Sequence, residues 1–86
     1  MPATNAITTN MFNDLVKEER KRQDTKWGEQ DHTVNKWLNI LDSEMSKLEG
    51  AVDKHANSNM EIDRRIVQVA AVCQVMWESG VRNGWI

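Results

Sequence analysis

The chain has 86 residues, enough for one small domain and no second core. Apolar residues make up 40% and charged residues 28%, which excludes a disordered polymer, and the formal net charge of −2 excludes a generally cationic nucleic-acid or membrane coat. A single cysteine excludes an internal disulfide framework, and with two histidines it argues against structural zinc.

Residues 1–8 carry little apolar content and no period, and are expected to form a flexible arm. A first helix is predicted over about 9–26, with Thr9 or Asn10 as cap, Phe12, Leu15 and Val16 at helical spacing, and Gly28 as its stop. The run Lys17-Glu18-Glu19-Arg20-Lys21-Arg22 mixes both signs and reads as a solvated face. Residues 27–33 form a short polar connection from which Trp27, Gln30 and His32 would project together. In that setting Trp27 could stack on a base or contact a partner as readily as pack.

A second helix is predicted over about 33–54, because Val34, Trp37, Leu38, Leu41, Met45, Leu48 and Val52 recur at three- and four-residue steps. A third is predicted over about 58–79, opened by a capping box at Ser58-Asn59-Met60-Glu61 and stopped by Gly80. Its centre, Ile66 to Trp77, has only Gln68 and Gln74 as polar members. On a helical wheel Ile62, Ile66, Val69, Cys73 and Met76 make the main seam, while Val67, Ala71 and Val75 point elsewhere. Trp37 and Trp77 are accordingly assigned to packing, Cys73 to a buried inert thiol, and His55 to solvent. A helix apolar nearly all round needs covering on several sides. Two partner helices supply that poorly, so a second subunit is expected to complete the bundle, as a homodimer or higher homo-oligomer. Residues 9–80 thus read as one all-α domain, and 81–86 as a tail whose Trp85 or Ile86 could dock on a neighbour. No apolar run reaches the roughly 18–20 residues of a bilayer span and no secretory pattern opens the chain, so a cytoplasmic setting without membrane contact is expected.

The stretch Glu19 to His32 contains Arg22-Gln23-x-x-Lys26-Trp27-Gly28-x-Gln30-x-His32. It resembles the opening of small phage and prophage proteins of the MazG-like family, which are all-α nucleoside triphosphate pyrophosphohydrolases. The resemblance continues through Trp37-Leu38-x-Ile40-Leu41 and Ile66 to Val72, and covers roughly residues 15–78. It implies a MazG-like helical bundle. Active members are expected to carry Glu-Glu-x-x-Glu on one helix and Glu-x-x-Asp on the next. Magnesium needs several oxygen ligands, and carboxylates three or four residues apart share a helix face. The metal then neutralises triphosphate charge and helps activate water.

The corresponding positions here read Ser43, Glu44 and Lys47 in the first motif, and Arg65 and Gln68 in the second. Two cations and one carboxylate stand where the pattern has five acids, and protonated lysine and arginine cannot ligate a metal. The resemblance with this departure implies a catalytically inactive phage protein that acts by binding in the host cytoplasm, with no cofactor. Its ligand would be a host protein of defence or nucleotide metabolism, or a nucleotide held without metal. In the latter case Lys47, Arg65 and Gln68 would meet the phosphates, with Trp27, Gln30 and His32 near the base. The alternative is an active magnesium-dependent pyrophosphohydrolase converting a nucleoside triphosphate to monophosphate and pyrophosphate. Glu44 would then be its surviving catalytic and metal-binding residue, helped by a second subunit or by Glu49 or Glu61. Asp42, Glu49 and Asp53 fall on the opposite rim of the second helix and read as solvated charges, and Lys47 as a plain i,i+3 partner of Glu44 stands beside its binding role. Nucleic-acid binding through Lys17, Arg20, Lys21 and Arg22 is disfavoured by the acidic remainder of the chain.

Overall fold

A computed structural model describes residues 2–54 and 59–86. They form three helices, α1 (Pro2–Trp27), α2 (Val34–Lys54) and α3 (Asn59–Asn83), with no strand among the described residues. None of these helices is long and apolar enough to cross a membrane. The all-α expectation holds, with shifted ends. The first helix begins at Pro2 rather than near residue 9, so the stretch read as an arm is its opening turns. Proline suits the first helical position, where its missing N–H has no partner to lose, and nothing between it and Thr9 breaks a helix. Thr33 caps α2, its Oγ1 accepting from the Lys36 backbone N–H at 3.2 Å. The proposed cap at Ser58 and the assignment of His55 lie outside the described residues.

Two glycines end helices, and only one of them was expected to. Gly28 has φ +70° and its N–H donates to the Asp24 carbonyl at 2.8 Å, a left-handed cap that closes α1. Gly80, expected to stop the third helix, lies buried inside it instead. The stop is Gly84, with φ +78°: the N–H of Trp85 donates back to the Gly80 carbonyl at 3.0 Å, the six-to-one bond of a Schellman motif. The tail therefore folds onto its own helix. A Cβ at Gly80 would stand 2.6 Å from the Ile86 side chain and 2.8 Å from the Trp85 ring.

The central element is α3. Val16 of α1 packs against Val67 and Ala71, and Arg20 reaches Gln74 and Glu78 one to two turns further on, so α1 and α3 run parallel. Near the start of α2, Trp37 meets Ser79 near the end of α3, so these two run antiparallel. Among the described residues, α1 and α2 each pack on α3 and not on one another. The inward side of α3 is thus Val67, Ala71, Val72 and Ser79, all buried. This corrects the expected seam: Ile66 and Cys73 are exposed, Ile62, Val69 and Met76 only half-buried. Trp77, assigned to packing, is 59% exposed. Period alone cannot choose between two apolar sides of one helix. The side used here carries small residues, Ala71 and Ser79, that let neighbouring helices approach, and a hydroxyl that can satisfy the Trp37 indole.

Candidate functional site

Because α1 and α2 lean on α3 without meeting, a cleft of about 410 Å³ opens between them with α3 as its floor. α1 contributes Glu19, Arg22, Lys26 and Trp27 to its walls, and the following loop contributes Gln30. The opposite wall is Trp37, Ile40, Glu44 and Lys47 of α2, and the floor is Arg65, Gln68, Val72 and Val75 of α3. Five residues singled out from the sequence, Trp27, Gln30, Lys47, Arg65 and Gln68, therefore line one cavity. His32 does not. Its Nε2 lies 3.1 Å from Gln30 Oε1 and its ring abuts Trp37 edge-on at 4.8 Å, so it orients the Gln30 amide instead of facing the cleft.

The polar ends of these side chains are held before any ligand arrives. Arg65 donates to Glu61 Oε1 and to Gln68 Oε1, both at 2.9 Å. Lys47 Nζ lies 3.2 Å from Glu44 Oε1, so the plain i,i+3 pair is present and its lysine still borders the cleft. Arg22 grips Glu19 with two bonds, at 3.0 and 2.6 Å. That contact holds the Glu19 carboxyl below the usual range, and Glu44, reaching across from α2, joins Glu19 in keeping Arg22 charged. Arginine has five N–H donors and lysine three, so each cation retains donors beyond those its acid occupies.

Glu19 and Arg22 were read as part of a solvated run, yet with Lys26 they form a wall of the cleft. Their three- and four-residue spacing placed them on one face with Trp27, a signal that a mixed-charge run masks. Lys26 Nζ stands 4.8 Å from the centre of the Trp27 ring, a cation–π contact at the cleft mouth.

Two side-chain clamps set the cleft's shape, and neither was evident from local sequence. Arg20 makes a bidentate contact with Glu78, at 2.7 and 3.0 Å, which fixes the C-terminal half of α1 on α3. Asp31 Oδ1 accepts from Arg82 at 2.8 Å, from Ser79 Oγ at 3.2 Å and from Asn83 at 3.1 Å. This second clamp ties the loop that carries Gln30 to the last turns of α3. Both carboxyls sit below their ordinary values, Glu78 because Arg20 bonds it and Asp31 because Arg82 does.

The cleft lining carries the carboxylates Glu19, Asp24 and Glu44 beside the cations Arg22, Lys26, Lys47 and Arg65. Glu44 is engaged by Lys47 and Glu19 by Arg22, while Arg65 adds a cation on the floor. Among the described residues no group of three or more histidine, cysteine, aspartate or glutamate side chains could hold a metal ion. An anion that brings its own oxygens suits the wall chemistry better. Compared with known proteins, the chain matches no family model, no curated protein and no solved structure.

Proposed function

We propose that this chain is a catalytically inactive module of MazG-like type that binds a nucleotide in the α1–α2 cleft without a metal ion. The observation that carries this reading is the convergence of Trp27, Gln30, Lys47, Arg65 and Gln68 on one cavity. Its volume, about 410 Å³, lies within the ~300–1,000 Å³ usual for small-molecule sites. Lys47, Arg65 and Arg22 supply charge-assisted donors to phosphate oxygens, and Trp27 offers an aromatic face to a base. Gln30, with its side chain set by His32, offers an amide to the base edge. Hydrolysis does not fit, because the positions that would bind the activating metal present cations to it.

Nucleoside triphosphates titrated into the protein in excess chelator, followed by tryptophan fluorescence, test this. Saturable quenching, unchanged by added magnesium and abolished by Trp27→Phe, is the expected result. Lys47→Glu and Arg65→Glu should each weaken binding by roughly tenfold to a hundredfold, the size of a lost charge-assisted hydrogen bond. Binding that requires magnesium, or release of pyrophosphate that Glu44→Ala abolishes, would establish the enzyme instead. Failure of every nucleotide to bind would overturn the reading and leave a host protein as the ligand to seek by pull-down.

A further inference from the structure

The face of α2 that lines the cleft does not end at Lys47. Trp37, Ile40, Glu44 and Lys47 follow one another at steps of three, four and three residues, and Ala51 and Lys54 continue the row at steps of four and three. On antiparallel α3 the matching row runs the other way, through Val72, Gln68 and Arg65 to Glu61. Residues so spaced share one side of a helix. A second hollow, of about 280 Å³, occupies this extension, and Lys47 and Arg65 border both it and the cleft. The two cavities are thus successive parts of one trough, with Trp27 and Gln30 lining the first and Lys54 the second.

The second hollow is cationic in a chain whose formal net charge is −2. Lys47, Lys54 and Arg65 are set against a single carboxylate, Glu61, which already accepts from Arg65 at 2.9 Å and lies 3.7 Å from Arg64. Among the described residues Lys54 has no ion-pair partner in its own chain. A lysine in the last turn of α2 also suits the carbonyl end of that helix, so its charge alone does not imply a ligand. Gly50 supplies the second observation. It stands inside α2, half-buried in the same lining, and a Cβ built on it would meet nothing within 4 Å. Glycine inside a helix is less favourable than alanine, and among the described residues no neighbour requires the missing side chain here. Bare backbone between two lysines, open to a cavity, fits a ligand that passes close to the helix.

We propose that the second hollow is a subsite for the far end of a polyphosphate chain, which runs over Gly50 from Lys47 and Arg65 to Lys54. The protein then selects its ligand by the number of linked phosphates, and affinity continues to rise beyond the triphosphate. This subsite rests on the nucleotide reading of the cleft and adds the ligand class, a nucleotide with an extended phosphate chain. At 1.5 Å per residue, Lys47 and Lys54 stand about 10 Å apart along α2, further than one phosphate group spans. Each added phosphate brings anionic oxygens toward a lysine that no acid of its own chain occupies, and such charge-assisted bonds are the strong ones.

Calorimetric titration of the full chain with adenosine mono-, di-, tri- and tetraphosphate, in excess chelator at fixed ionic strength, tests this. Affinity is expected to climb at every step, by about tenfold from the diphosphate to the tetraphosphate. Lys54→Gln should remove that gain and leave the monophosphate unchanged, whereas Lys54→Arg should keep it. Lys17→Gln, the same loss of charge on α1 outside the trough, should change nothing. Gly50→Ala should raise the melting temperature of the free protein, yet weaken the tetraphosphate by about tenfold and spare the monophosphate. Equal affinity whatever the phosphate number, or a gain that survives Lys54→Gln, would overturn the subsite and leave the nucleotide reading intact. A gain untouched by Gly50→Ala would overturn the path over the helix. If no nucleotide binds, inorganic tripolyphosphate separates the two readings. Its binding, weakened by Lys54→Gln, would keep the subsite without a base, and its failure would remove both.

Discussion

Ser79 is small, fully buried and polar, and it joins the two parts of the fold that flank the cleft loop. It accepts from the Trp37 indole at 3.2 Å and donates to Asp31 at the same distance. Ser79→Ala leaves a buried indole N–H without a partner and removes one bond from the Asp31 clamp. It should cost about 1–3 kcal/mol by urea denaturation. The Arg20–Glu78 contact gives a pH dependence of definite sign. Glu78 titrates below its ordinary value of 4.5 in the folded protein, so it binds protons more weakly there than in the unfolded chain. Its stabilisation is therefore complete above that value and is lost as pH falls through the lower folded one. The carboxylate is 43% exposed, which limits the contribution to about 1 kcal/mol or less. Denaturation curves of Glu78→Gln against wild type should converge as the solution is acidified; a constant gap would show that the ion pair contributes nothing.

At the scale of an element, the end of α3 depends on an absence of side chain at Gly80. Trp85 and Ile86 rest where a Cβ would be, at 2.8 and 2.6 Å. In the full chain Gly80→Ala must push the tail off, at an expected cost of about 1–2 kcal/mol. In a chain cut after Gly84 the same substitution meets nothing, and should stabilise the helix by up to ~1 kcal/mol, the ordinary preference of alanine over glycine. Thermal unfolding of the four proteins checks this reversal of sign. Equal effects in both backgrounds would mean the tail does not pack there in solution. The expected helix stop at Gly80 was reasonable from composition, because the second, later glycine at residue 84 carries the same signal. Only the packing of the last two residues tells a capping glycine from a spacing one.

For the whole molecule, the buried apolar core is small beside the apolar side chains left exposed among the described residues. The cleft is a consequence of the same architecture: α1 and α2 share a partner without touching, and the gap between them is the site.

Three periodic segments, a polar connection before Thr33 and a stop at Gly28 were legible in the order of residues, because helical period and glycine chemistry are local properties. The same holds for the charges of Lys47 and Arg65, since charge belongs to the residue and not to its surroundings. Which side of α3 turns inward was not legible. Its apolar residues cover nearly the whole circumference, and the choice is made by what α1 and α2 bring to it, Val16 on one flank and Trp37 on the other. Nor could spacing reveal that Arg20 and Asp31 hold the cleft open. These contacts join residues some fifty positions apart, and only tertiary packing brings such distant groups within reach of a hydrogen bond.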